Sequence, residues 1–312
     1  MSSVHPFLQL GIYIFFLVTG VLGNLFILIV YFLDWVKTHH CNPSILIISS
    51  IAVISIFYQG TITFGKVAAL MFLEFYMQVW VVIPLAAIMC SLAFSSIWCS
   101  TCLCFFYCIK IVNFRGSFFY KLKTKVEVIV PWLLIISVAA SWSLGVPAYW
   151  DLYMDIKVVT ATNVTSILSF AVRSRCQCLF QIYTMIAAIA FAIILTTAGA
   201  IVTSLCKHMI RMKKNNEGSG NSRIHSHLLA AKTVTSLLVL YLIFYGFLSS
   251  LFSYVDNNRS LIFDLSFFVI SSFPTFNSII LVIGNRKLSN SLKELLCMRP
   301  HAANIEVTVT TH

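Results

Sequence analysis

The sequence predicts an all-α protein, a seven-transmembrane helix bundle with an extracellular N-terminus and a cytoplasmic C-terminus. Three observations carry that prediction. Seven long runs contain no Asp, Glu, Lys or Arg, the basic residues gather in alternate gaps between the runs, and the N-glycosylation sequons fall in the other gaps. Composition agrees: 59% of the 312 residues are hydrophobic, 10% are charged, and the mean hydropathy is +0.92. A soluble domain carries about 25% charge.

The runs are 7–33, 44–65, 79–109, 128–150, 176–206, 233–255 and 265–284. Each can cross a hydrocarbon core, which needs about 20 apolar residues in a helix. With no water inside a bilayer, every backbone N–H and C=O must be satisfied by a helix or a closed barrel, and barrel strands are much shorter than these runs. The first run exceeds the h-region of a cleaved signal peptide and follows a start without Lys or Arg, so it reads as a retained helix. Residues 1–284 thus form the membrane domain. Residues 285–312 form a tail in which Leu288, Leu292, Leu295 and Leu296, interleaved with Lys287, Lys293 and Glu294, predict a short amphipathic helix on the inner leaflet before a disordered end. The fifth gap, 212–226, reads as a flexible polar linker.

Orientation follows from the basic residues, which stay on the cytoplasmic side of helix ends. Sixteen of the 21 lie in the first, third and fifth gaps and the tail, against Lys66, Lys157, Arg173, Arg175 and Arg259 on the other side. The acidic residues divide evenly, so the inner face carries the net charge of +11 and suits anionic membrane lipids and an acidic cytoplasmic partner rather than nucleic acid. Asn163 and Asn258 head the two sequons on the outer side, which marks a plasma-membrane glycoprotein; Asn42-Pro43-Ser44, on the inner side, is excluded by its proline.

Function classes narrow from what the spans lack. Transporters, pumps and channels place ionisable residues at mid-membrane, whereas these runs hold no Asp, Glu, Lys or Arg. No nucleophile–base pair or phosphate loop points to an enzyme, and no cofactor is implied. Cys99, Cys102, Cys104 and Cys108 are spaced around several sides of one helix, which argues against zinc. A small-solute transporter stays as the reading from a different class.

Three segments carry a family resemblance. They are Cys102-Leu103-Cys104-Phe105-Phe106-Tyr107-Cys108-Ile109-Lys110-Ile111-Val112-Asn113-Phe114, the run His227-Leu228-Leu229-Ala230-Ala231-Lys232-Thr233-Val234, and Pro274-Thr275-Phe276-Asn277-Ser278 through Gly284-Asn285-Arg286-Lys287-Leu288. Together with Gly23-Asn24 and Leu205-Cys206-Lys207-His208-Met209, they resemble the bitter taste receptor family, taste receptors type 2. The chain departs from that pattern at Ser55, where the family carries an Arg, and at Met89 and Ala93, where it often carries Trp and Asn. A vomeronasal type 1-like pheromone receptor is the nearest rival, disfavoured by the segments around Tyr107 and His227.

The resemblance implies a G-protein-coupled chemoreceptor for bitter small molecules, coupled to a gustducin-like heterotrimeric G protein. The expected ligand residues, set one helical turn apart, are Met89, Ala93 and Ile97 on the third span and Tyr183 and Ala187 on the fifth. Phe244 and Leu248 on the sixth and Phe267 and Ile270 on the seventh complete the set. Phe244 aligns with an aromatic position linked to activation in relatives. As drawn, this pocket is aromatic and Met-containing without a fixed charge, which suits uncharged amphipathic agonists. Coupling and activation are expected at Tyr107, Lys110, His208, His227 and Lys232.

Overall fold

The computed structural model describes residues 6–39, 42–112, 117–160, 166–215, 221–253 and 261–296. Its long helices are α1 (Pro6–Thr38), α2 (Pro43–Met71), α4 (Val79–Ile111), α5 (Ser117–Asp151), α6 (Gln177–Asn215), α7 (Asn221–Ser253) and α8 (Leu261–Gly284), with a single turn α3 (Leu73–Tyr76) between α2 and α4. Six of them are long and apolar enough among the described residues to cross a membrane; α7 contributes the shorter apolar stretch Lys232–Leu248. The chain is therefore a multi-pass helical membrane protein.

Two features depart from the expectations above. The segment joining α5 to α6 is an antiparallel hairpin, β1 (Leu152–Thr160) and β2 (Ser166–Ser174), paired from Leu152↔Ser174 to Thr160↔Ser166. β-branched residues such as Val158, Val159, Thr160 and Ile167 favour that pairing. Its base is closed by Arg175 N–H donating to the Asp151 carbonyl at 2.9 Å and Cys176 N–H to Asp151 Oδ1 at 2.8 Å. The linker expected at 212–226 is also shorter: α6 continues to Asn215 and α7 begins at Asn221, because Arg, Met and Lys are good helix formers whether or not they lie in a membrane.

α4 runs through the middle of the bundle, packed on α2, α5, α6 and α7, and α8 packs on α1, α2 and α7. The buried residues of α4 include a set of small polar ones, Ser91, Ser95, Ser96, Ser100 and Thr101. Ser91, Ser95 and Thr101 donate to the carbonyls of Ala87, Ser91 and Ile97 at 2.8–2.9 Å, so their hydroxyls are satisfied within the helix. Small residues of this kind let backbones approach. Gly145 of α5 lies so close to Ser91 that any side chain there would collide with it, and Gly284 of α8 stands in the same relation to Thr233 of α7. Outward faces are the reverse. Phe15, Leu22 and Ile29 on α1 and Val128, Trp132 and Ile135 on α5 stay exposed, a surface suited to hydrocarbon.

After Gly284 the chain turns into α9 (Arg286–Leu296). Asn285 Oδ1 accepts from the N–H of Lys287 at 3.0 Å and of Leu288 at 3.4 Å, which caps the helix start. Leu288 is fully buried and Leu292 packs on the core, while Leu295 and Leu296 are exposed. Lys287 Nζ forms an ion pair with Asp34 of α1, which holds α9 beside the first helix.

Candidate functional site

Pairings between helices fix their relative direction. Lys66 of α2 reaches Tyr13 of α1, and Gln59 of α2 reaches Phe16, so α1 and α2 are antiparallel. Thr275 of α8 meets Phe16, and Ser278 meets Gly23, so α1 and α8 run parallel. One end of the bundle thus carries Tyr13, Lys66 and Phe267, and the other Asp34, Tyr107 and Asn285.

Six of the expected ligand residues belong to, or pack against, the apolar core that runs the length of the bundle. Ala93, Ile97, Phe244 and Ile270 belong to one buried core, and Met89 and Leu248 pack against it half-buried. Phe244 is 1% exposed, with its ring centroid 4.2 Å from that of Phe273 on α8. Phe273 also meets Tyr241 edge-on at 5.3 Å, and the Tyr241 hydroxyl donates to Ser100 of α4. This aromatic triad therefore joins α7, α8 and α4 in the middle of the bundle.

The other three lie apart from that core. Ala187 is buried on α6. Tyr183 turns its hydroxyl to the Leu144 carbonyl of α5 at 2.7 Å, and its ring lies 5.6 Å from Phe94. Phe267 lies under a cation: Lys66 Nζ is 3.8 Å from its ring centroid and 5.5 Å from that of Tyr13. Lys66 thus brings a charge to the ring of one expected ligand residue. Ending the second span at its first charge stopped it at Gly65, but α2 continues to Met71 and carries Lys66 inside the helix.

Two turns further along α2 and α8, these helices and α1 are tied by hydrogen bonds that the sequence reading missed. Gln59 Nε2 donates to the Phe16 carbonyl and lies 3.2 Å from Thr275 Oγ1, which donates to the same carbonyl at 3.1 Å. Gly20 makes room for this contact, since a Cβ there would strike both Gln59 and Thr275. Asn24 donates to the Gly20 carbonyl at 2.8 Å. Ser55, at the position where the resemblance leads one to expect an Arg, is 1% exposed and too short to span helices. The interhelical link is made instead by Gln59, one turn away on the same helix.

At the opposite end, the Tyr107 side chain of α4 lies beside that of Asn285 at the junction of α8 and α9. Lys110 is exposed, with Nζ 5.5 Å from the Phe106 ring centroid, and Lys232 is exposed beside Thr233. The side chains of His208 and His227 lie outside the described residues, as do Asn163 and Asn258. Among the described residues no group of His, Cys, Asp and Glu could hold a metal. The Cys102 thiol instead lies 3.5 Å from the Ser137 hydroxyl of α5.

Comparison with known proteins converges on one family. Residues 1–299 match the family model described as taste receptor protein (TAS2R). The chain is 27% identical to taste receptor type 2 member 109 of Rattus norvegicus, over 93% of this chain and 92% of the relative. It is 26% identical to taste receptor type 2 member 2 of Homo sapiens, over 90% and 93% of the two chains. Identity to taste receptor type 2 member 7 of Pan troglodytes is 28%, over 87% and 86%.

Proposed function

The chain belongs to the taste receptor (TAS2R) family, and from that premise we infer how its geometry serves a G-protein-coupled chemoreceptor for bitter small molecules. It is a receptor, not an enzyme. The observation that carries this reading is the extent of the family match, 1–299, which takes in every long helix of the bundle. It also decides against the pheromone-receptor and transporter readings.

The finer assignments are proposals. The bundle makes seven passes in the plasma membrane, with the Tyr13 and Lys66 end outside and the Asp34 and Tyr107 end facing the cytoplasm. The distribution of Lys and Arg supports this orientation. Asn163 and Asn258 then face outside as glycosylation sites. An agonist enters from the outer end and acts on Met89, Ala93, Ile97, Phe244, Leu248 and Ile270, with Tyr183, Ala187 and Phe267 at the margins of the site.

An agonist shifts a receptor toward its active state only by binding that state more tightly. The Phe244–Phe273–Tyr241 triad is the element placed to register it, since moving any of the three rings disturbs packing among α4, α7 and α8. On the inner side, Tyr107, Lys110, His208, His227 and Lys232 meet a gustducin-like G protein. The Asp34–Lys287 pair holds the resting arrangement there.

His227→Ala and Lys232→Ala test the inner assignment. Each is expected to change basal or agonist-driven G-protein activation while surface staining stays within about twofold of wild type; Lys232 is exposed, and exposed positions contribute little to folding. Loss of surface staining in step with signalling would make them folding residues and remove them from the coupling site.

A further inference from the structure

We propose that α1, α2 and α8 hold an internal water molecule between Asn24, Ser55 and Asn277, a buried hydration site that ties the three helices together one turn from the aromatic triad. The proposal goes beyond the chemoreceptor reading and does not depend on it.

Contacts between the helices bring the three side chains to one layer. Gly20 of α1 meets Gln59 of α2 and Thr275 of α8, and Gly23 meets Ser278. Asn24 and Ser55 come one helical turn after Gly20 and Gln59, toward the Asp34 end, and Asn277 is the neighbour of Ser278 in sequence. Asn277 is also one turn from Phe273 on α8. All three are buried, at 0%, 1% and 0% exposure. Yet Asn24 Oδ1, Ser55 Oγ and both Oδ1 and Nδ2 of Asn277 have no hydrogen-bond partner among the described residues, and Gln59 Oε1, one turn away, has none either. Their neighbours look elsewhere: Asn24 Nδ2 donates to the Gly20 carbonyl, the Ser278 hydroxyl donates to the Thr275 carbonyl, each at 2.8 Å, and Ser96 of α4 lies beside the Tyr241 hydroxyl.

The chemistry of the unpaired atoms selects the ligand. Buried amides and hydroxyls in native proteins bond to protein or to ordered water, because leaving them unpaired costs stability. This set needs a partner that both accepts and donates: Asn277 Nδ2 has a hydrogen bond to give, and the oxygens of Asn24 and Asn277 have bonds to receive. A water does both and makes about three hydrogen bonds in such sites. A cation would serve only the oxygens, with no carboxylate to balance it; the acidic residues of α1, α2 and α8 are Asp34 and Asp264, ten and thirteen residues from Asn24 and Asn277. Ser55 leaves room. Its hydroxyl ends one bond past Cβ, while packed helix axes stand about 8–10 Å apart. Ser50, Ser91 and Ser95 turn their hydroxyls back to a carbonyl of their own helix, and Ser55 does not.

The full-length receptor tests the site in two ways. In an experimental density map that resolves waters, a peak within about 2.7–3.2 Å of Asn24, Ser55 and Asn277 is expected, and direct contact between the two amides with nothing between them would overturn the proposal. In purified receptor, Ser55→Ala and Asn277→Leu are each expected to lower the melting midpoint by about 2 °C or more, and the double variant by less than their sum, because both lose the same water. Removing groups that truly lack a partner would leave the midpoint unchanged or raise it, and additive losses would mean that the two residues share nothing; either result overturns the proposal. A wild-type midpoint that rises when sodium replaces choline at equal concentration, and no longer does so in Asn277→Leu, would assign the site to a cation instead. Should Asn277→Leu fail to fold, the map and Ser55→Ala still decide.

Discussion

Gly20→Leu is expected to abolish delivery of the receptor to the cell surface, whereas Gly11→Leu on the same helix leaves it intact. A side chain at Gly20 runs into the Gln59 amide and the Thr275 hydroxyl, so α1 must separate from α2 and α8 or those groups must leave the Phe16 carbonyl. Overpacking costs about 1–3 kcal/mol. Each buried polar group left unpaired costs about another 1–3 kcal/mol. Three such groups depend on this one crossing, so the total approaches the usual stability margin of about 5–15 kcal/mol. Gly11 is exposed, and a Cβ there meets nothing within 4 Å. Antibody staining of an N-terminal tag on intact cells measures both variants. Equal staining would show that the Gly20 crossing does not hold α1 in place.

The second large effect is expected at Phe244. Phe244→Ala should raise the half-maximal agonist concentration on the order of tenfold, about 1.4 kcal/mol of lost discrimination between the two states. Removing a ring that is 1% exposed also leaves a cavity, and Phe-to-Ala changes in a core cost about 3–5 kcal/mol. Phe244→Leu therefore accompanies it, because leucine keeps most of the bulk and loses the face that meets Phe273. If Phe244 transmits the agonist signal, Phe244→Leu loses potency at near-normal surface level. A residue that only packs would lose surface staining and signal together.

These two positions show how unevenly the molecule could be read from its sequence. The long helices were legible because a bilayer forces apolar length and helical backbone on every crossing, and both leave a mark on composition. Their ends were not. The charge-free criterion stopped at Gly65 because it treats any lysine as solvent-exposed, yet the Lys66 stem lies in the helix and its charge lies against ring faces. The β1–β2 hairpin was missed because its residues sit in a gap between runs, where no hydrophobic period directed attention to pairing.

The candidate site was legible in a similar way. Met89, Ala93 and Ile97 share a face of α4, and helical spacing alone places them together. That Phe244 meets Phe273, or that Gln59 meets Thr275 across 216 residues of sequence, depends on helix packing that no local pattern encodes. The departure at Ser55 announced a lost contact without saying what replaced it. The replacement, Gln59, lies one turn away and was visible only once α1, α2 and α8 were assembled.

The central claim is that an agonist bound among these helices activates a G protein from the opposite end. It is tested most directly by calcium release in cells expressing the chain with a chimeric G protein, challenged with a panel of bitter compounds. A dose-dependent signal that vanishes when the G protein is omitted is the predicted result. Silence across the panel, with the receptor demonstrably at the cell surface, would contradict it.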